Sequence, residues 1–297
     1  MPFAPRDRFD WKLRTRSLPL GRRTLVMGIL NITPDSFSDG NRYVSVETAV
    51  QHGLRMLDEG ADILDLGGES TRPGRHPEVS ADKEQERLLP VIEAILRERP
   101  DAILSIDTYK ASTARVSIEA GAEIVNDISG FQWDEAMART CAELRCGVVL
   151  MHTRGRSEDW RSLPPLMPEE VTPLVTHELA TRLREAEAAG VSREHIVLDP
   201  GYGFGKSFEE NYPLLAHQGE LRALDCGLLV GASRKSFLGR RLADLHSGAD
   251  APVEARENAT VAAHVAAILA GAHIVRVHAV RPMAEAARIA DAILEYA

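Results

Sequence analysis

A (β/α)8 barrel, with an N-terminal β-hairpin closing its bottom, is the α/β fold this sequence predicts, on three observations. Eight short apolar runs recur along the chain, each rich in Ile, Leu and Val. Helical patterns long enough for crossover connections separate them, as parallel strands require. Each run is apolar at nearly every position, the signature of strands covered on both faces rather than one. An open doubly wound sheet is the competing architecture, and eight repeats in 297 residues favour closure.

The elements follow in order. Residues 1–23 alternate apolar and polar positions through Trp11, Lys12, Leu13 and Arg14, then turn at Pro19, Leu20 and Gly21, which reads as a hairpin extension ahead of a barrel spanning 24–297. The strands are expected at 24–33, 63–68, 103–108, 124–129, 147–153, 196–201, 228–233 and 273–280. Helical periodicity is clearest over 46–60, 81–99, 111–121, 169–190, 254–271 and 282–296. Three helices end in Gly-Ala before a strand, at Gly60, Gly121 and Gly271, where glycine supplies the left-handed residue that closes a helix.

Composition narrows the partners. With 44% apolar and 27% charged residues the chain is a folded one. Its net charge of −9 argues against nucleic acid and against an anionic membrane surface, both of which reward basic fields. No stretch approaches the roughly 18 apolar residues of a membrane span. Arg6 and Asp7 stand where a secretory signal needs an apolar region, so a cytoplasmic protein is expected. Cys141, Cys146 and Cys226 are expected to be buried, reduced thiols.

The strand ends carry polar residues unsuited to a buried strand: Asn31, Asp107, Asn126, His152, Asp199, Lys235, Arg276 and His278. A closed barrel gathers them on its C-terminal face, where βα-loops vary without disturbing the packed interior. At this point the chain resembles the dihydropteroate synthases. The runs MGILNITPDSFSDG (27–40) and DLGGESTRPG (65–74) are similar to that family's two signatures. Further matches are SIDT (105–108), NDISG (126–130), DPGYGFGK (199–206), SRKS (233–236) and RVH (276–278).

The resemblance implies condensation of 4-aminobenzoate with a pterin diphosphate, releasing pyrophosphate. A pterin edge offers an amine, a ring N–H and a carbonyl, so its pocket needs carboxylate or amide acceptors beside a cation. Asp107, Asn126, Asp199 and Lys235 are the residues so implied, with Ile128, Met151 and Phe204 packing on the flat ring. The diphosphate implies Thr71, Arg72, Arg276 and His278, together with a Mg2+ ion on Asn31. Ser236, just ahead of an apolar helical pattern at Phe237, implies an anchor for the aminobenzoate carboxylate, completed by Phe37, Arg72 and Pro73. Asp35 and Phe37 are expected to order over the second substrate, and Asp107 to stabilise a cationic intermediate. No nucleophile-base triad is evident, and an aromatic amine needs none.

Two departures from the family pattern stand out. Ala279 follows Arg276-Val277-His278 where an acidic residue is common, and Thr153-Arg154 follows Met151-His152 in place of a more usual Met- or Asn-containing pair. Three alternatives share part of this evidence: a pterin-dependent corrinoid methyltransferase, a non-catalytic pterin-binding paralogue, and an unrelated phosphate-binding barrel isomerase. The Ala-rich segments 254–271 and 282–296 suit close helix contact, and a homodimer is expected.

Overall fold

The computed structural model describes residues 3–32, 42–69 and 79–297, with the side chains of 42–45 excepted. A two-stranded hairpin, β1 (Phe9–Lys12) with β2 (Ser17–Leu20), precedes eight parallel strands. These are β3 (Leu25–Asn31), β4 (Ile63–Gly67), β5 (Leu104–Asp107), β6 (Ile124–Asp127), β7 (Gly147–Met151), β8 (Ile196–Asp199), β9 (Gly227–Val230) and β10 (Ile274–Val277). They close in sequence order, and β10 returns to β3 through Ile274 opposite Leu25.

Outside lie α1 (Arg42–Asp58), α2 (Ala81–Glu98), α3 (Ala111–Glu119), α4 (Met137–Leu144), α5 (Pro168–Ala188), α6 (Asn211–Ala216), α7 (Ser236–Arg241), α8 (Glu257–Leu269) and α9 (Val280–Leu294). The short helices α4 and α6 were not read from periodicity, because 8 and 6 residues give too few turns for a repeat to show. α8 starts three residues later than expected, since residues 253–256 form a single 3-10 turn. α9 starts two residues earlier, with Pro282 in its first turn, where a missing N–H costs nothing. Gly60, Gly121 and Gly271 all adopt the left-handed φ expected of helix-ending glycines.

The hairpin closes the bottom of the barrel. Trp11, Leu13 and Leu20 pack with Met27, Ile63, Ile124, Val149, Val197, Leu229 and Ile274, the lowest inward layer. Room for this plug comes from the first residues of β7 and β9. A Cβ on Gly147 would lie 2.6 Å from Leu13 Cδ2, and one on Gly227 2.6 Å from Leu20 Cδ1. Trp11 is fixed by donating Nε1–H to the His195 carbonyl at 2.8 Å. With the bottom plugged, the barrel interior faces outward at its C-terminal mouth.

The three cysteines are buried free thiols, as expected. His264, on an α8 face, is structural: its Nε2 accepts the Ala232 N–H at 3.2 Å while Nδ1 faces the Thr260 carbonyl at 2.8 Å. Among the described residues no helix is long and apolar enough to cross a membrane.

Candidate active site

Above the apolar plug the inward positions turn polar. Strand alternation places Asp65 and Gly67 on the same face of β4, and Ser105 and Asp107 on the same face of β5. Arg276 crosses the barrel to reach them, donating from Nε to Asp65 Oδ2 at 2.6 Å and from Nη2 to Asp107 Oδ2 at 2.6 Å. Asn126 Nδ2 adds a bond to the same Asp65 oxygen at 3.0 Å. Asp65 is fully buried, and its Oδ1 and the Ser105 Oγ beside it take no hydrogen bond from the protein.

One guanidinium cannot neutralise two buried carboxylates, so one of them carries the strain. Burial, reinforced by the charges of Asp65, Glu84 and Asp127 against the opposing pull of Arg276, pushes the Asp107 carboxyl up to about 7. Burial works against the Arg276 charge, yet Asp65 and Asp107 hold it above the ordinary guanidinium value. Asp107 is thus held in its charged form less firmly than a free carboxylate, despite its contact with Arg276.

Across the mouth, the turn after β9 delivers Lys235. Arg234 takes a left-handed φ of 56°, its N–H donates to Thr260 Oγ1 at 3.0 Å, and its side chain leaves the site for Glu257 at 3.1 Å. Arg256 Nη1 holds the Arg234 carbonyl at 3.0 Å. The effect is to turn the next residue inward: Lys235 Nζ donates to the Tyr202 carbonyl and lies 4.3 Å from the centre of the Phe204 ring. Burial pushes the Lys235 ammonium down to about 7, opposed chiefly by Asp199. Asp199 is itself raised by burial and held down by Lys235 and by the Gly201 N–H, 2.7 Å from its Oδ1.

Two glycines make space between these groups. An ideal Cβ on Gly231 would stand 3.8 Å from Asp199 Oδ2 and 3.8 Å from Arg276 Cβ. One on Gly67 would stand 3.8 Å from both Asn31 Oδ1 and Asp107 Oδ2. The missing side chains of these glycines leave a narrow slot between Asp199 and Arg276 and beside Asn31 and Asp107, with the buried Ile128 and Met151 on neighbouring strand ends.

At the rim, His278 pairs with Ser233. The Ser233 hydroxyl accepts the His278 backbone N–H at 3.2 Å and lies 2.9 Å from the ring Nδ1. α9 begins just beyond, with Ala279 at its cap position and no side chain capping its first turn. The acidic residue common in the family would occupy that position, so the first-turn N–H groups here keep their positive end for another acceptor. Ser236 is exposed and is the first residue of α7; Lys235, not Ser236, occupies the cap position.

The structure therefore brings Asp107, Asn126, Ile128, Met151, Asp199, Phe204, Lys235, Arg276 and His278 to one mouth, with Asn31 beside Asp107 at Gly67. Asp35, Phe37, Thr71, Arg72 and Pro73 lie outside the described residues. Asp65 was not singled out in sequence, although its place two residues before Gly67 in the same strand puts it inside the barrel. Glu84 was also missed. It is buried on α2 and accepts bonds from Thr108 and Thr113 at 3.1 and 2.9 Å, bracing the end of β5 from a distance no local pattern reveals. The Arg154 departure has a use: its guanidinium ties the loop after β7 to the Gly205 and Pro164 carbonyls at 3.2 and 3.0 Å.

Comparison with known proteins bears on this geometry. The family model described as pterin binding enzyme matches residues 27–278. A dihydropteroate synthase of Clostridium beijerinckii is 42% identical over 284 residues, covering 95% of this chain and 99% of the relative. Among solved structures, a Xanthomonas albilineans dihydropteroate synthase with 4-aminobenzoic acid superposes with a TM-score of 0.84 at 40% identity, covering 98% of both chains. The same organism's enzyme in complex with 7,8-dihydropteroate gives a TM-score of 0.81 at 38% identity, covering 97% of this chain and 98% of the other.

Proposed function

From its membership of the pterin-binding enzymes, as a dihydropteroate synthase, we propose how the described residues of this chain divide the reaction. The chain condenses 6-hydroxymethyl-7,8-dihydropterin diphosphate with 4-aminobenzoate, giving 7,8-dihydropteroate and pyrophosphate. The observation that carries the division of labour is the convergence of carboxylate and amide acceptors with one ammonium at a single mouth, where Gly67 and Gly231 keep side-chain volume out.

Asn126, Asp107 and Asp199 accept the donors of the pterin edge, Lys235 donates to its carbonyl side, and Phe204, Met151 and Ile128 cover its faces. Arg276 and His278, with the uncapped start of α9, face the diphosphate. Breaking the methylene C–O bond sends its electron pair to the departing pyrophosphate, and the pterin ring shares the positive charge left behind. Asp107, poised near neutrality and touching Arg276, stabilises that charge as it forms. The amine lone pair of 4-aminobenzoate then makes the C–N bond, and the anilinium proton passes to solvent. Ser236, Phe37, Arg72 and Pro73 are assigned to the aminobenzoate, Thr71 to the diphosphate, and Asp35 to closure over both.

A Mg2+ ion fits the donor set at the mouth. Asn31 Oδ1 and Asp107 Oδ2 face a common space beside Gly67, and no group of three or more metal-ligating side chains gathers among the described residues. Asn31 would hold it through one amide oxygen, since Mg2+ commonly takes few protein ligands and the rest from phosphate oxygens and water. When bound it supplies charge neutralisation for the diphosphate. A homodimer is proposed through α8 and α9, on the support that Ile289 and Ile293 of α9 stand 67% and 41% exposed; sedimentation at micromolar concentration tests it.

The activity is tested by supplying both substrates with Mg2+ and measuring pyrophosphate and dihydropteroate together. Stoichiometric appearance of both is expected; their absence rejects the reading. Asp107→Asn separates the roles, because full turnover by that variant would remove Asp107 from the chemistry.

A further inference from the structure

Lys206 is a buried lysine that the reaction above does not use; only 7% of it is exposed, and burial, with the Lys235 charge, pushes its ammonium down to about 7. Its ammonium has three protons and three acceptors in reach: His152 Nδ1 at 2.8 Å, the Gly201 carbonyl at 2.8 Å and the Phe204 carbonyl at 3.2 Å. His152 in turn places Nε2 3.0 Å from Glu178 Oε2 on α5. With Glu178 as acceptor and Lys206 as donor, the imidazole is neutral and carries its proton on Nε2. Burial and the Lys206 charge hold it so, pushing its ionisation down to about 4.

This clamp grips the back of the turn at residues 201–204. Gly201 has a φ of +66°, and a Cβ there would stand 1.9 Å from the His152 carbonyl oxygen, so the two loops meet backbone to backbone. The front of the same turn supplies the Tyr202 carbonyl that receives Lys235 and the Phe204 ring beneath it. Lys206 thus bonds to the first and last carbonyls of a four-residue turn whose inner groups hold the substrate-facing lysine. We propose that Lys206 is a positioning residue for the pterin pocket, setting the 201–204 turn so that Lys235 and Phe204 present their binding geometry. The inference rests on the pterin assignment made above. Charged and titratable groups facing Lys206 are His152 and Arg154 from the loop after β7, Glu178 from α5, Asp199 from β8 and Lys235 from the loop after β9.

Lys206→Met keeps the length and apolar stem while removing all three donors. The expected result is about ten-fold weaker binding of 7,8-dihydropteroate by calorimetry, with KM for the pterin diphosphate rising in parallel and KM for 4-aminobenzoate within about two-fold of wild type. A folded variant with unchanged dihydropteroate affinity, or with both KM values rising together, overturns the proposal. Should the variant not fold, the imidazole 15N shifts of His152 in the wild-type chain decide. A proton on Nε2 and a bare Nδ1 from pH 6 to 8 support the clamp, and a proton on Nδ1 overturns it. Wild-type protein that binds no dihydropteroate sinks the pterin assignment itself, whereas wild-type binding with an indifferent Lys206→Met sinks this inference alone.

Discussion

Gly231→Ala separates the pocket from the fold with a single methyl. Gly231 follows β9, and its φ lies outside the left-handed region, so alanine meets no backbone strain. The added Cβ would stand 3.8 Å from Asp199 Oδ2, 3.8 Å from Arg276 Cβ and 3.9 Å from Arg276 Cδ, which is ordinary van der Waals contact. Replacing glycine where the backbone suits alanine stabilises by about 0.4–1 kcal/mol through the unfolded chain. Thermal unfolding should therefore be unchanged or a degree or two higher, at roughly 2–4 °C per kcal/mol for a large domain. The ligand meets the opposite situation. The methyl fills part of the slot between Asp199 and Arg276, and overpacking a fitted space by one carbon costs about 1–3 kcal/mol, or roughly 5- to 150-fold in affinity. Calorimetry with 7,8-dihydropteroate beside a melting curve reads both arms. Wild-type affinity in Gly231→Ala would show that the heterocycle lies elsewhere, and a melting point lowered by more than about 5 °C would show that the space at Gly231 is not open.

Gly201→Ala should do the reverse, because its Cβ meets the His152 carbonyl oxygen at 1.9 Å in a left-handed conformation; a loss of about 3 kcal/mol or more is expected in urea, and a loss under 1 kcal/mol would refute it. Trp11→Ala removes the centre of the bottom plug, 1% exposed and bonded to His195; stability should fall by about 3–5 kcal/mol while both KM values at the far mouth hold. Lys235 titrates near 7 in the folded chain against an ordinary 10.5, so between those values the unfolded chain binds the extra proton and stability rises with pH. Lys206 is depressed to about 7 as well, so Lys235→Met should reduce that rise between pH 7 and about 10 without abolishing it, measured by denaturant titration, and an unaltered slope would exclude a depressed Lys235. Chelation of divalent cations should abolish turnover and Mg2+ should restore it; full activity in excess EDTA would remove the metal from the proposal.

The barrel was legible because its signals are long-range in period yet local in form: continuous aliphatic runs, glycines closing helices, and polar residues at each run's end. The residues gathered at the mouth were legible for the same reason, since a strand's C-terminal end in a closed barrel has one mouth to face. What the sequence hid is the wiring between strand ends. Asp65 reads as one more residue of an apolar run, and only barrel closure and register show it beneath Gly67 and within reach of Arg276, which lies two strands away and 211 residues later. Arg256 lies at the polar start of the 254–271 pattern, where nothing local marks a partner, yet it holds the Arg234 carbonyl across 22 residues and so helps aim Lys235. Lys206 was visible in the DPGYGFGK run, but its partner His152 lies 54 residues earlier and its role depends on a glycine backbone contact.

The ionisation states in the slot follow from crowding, and they bear on catalysis. Burial drives the Asp107 carboxyl up to about 7 and the Lys235 ammonium down to about 7. Groups poised this way change protonation at little cost when a ligand alters their surroundings, because the two forms are nearly equal in free energy before it arrives. A pterin edge that offers a carbonyl to Lys235 favours the ammonium, and positive charge developing at the methylene favours the Asp107 carboxylate. Both shifts strengthen the charge pattern the transition state demands, and neither requires a dedicated base. The same poise predicts proton movement on ligand binding, with Lys235 taking up a proton above pH 7. Calorimetry of dihydropteroate binding at pH 7.5, in two buffers of different ionisation enthalpy, should give different apparent heats in the wild-type chain and a smaller difference in Lys235→Met. Identical heats in the wild type would mean that these groups keep fixed charges and that the slot is not poised as the burial argument requires.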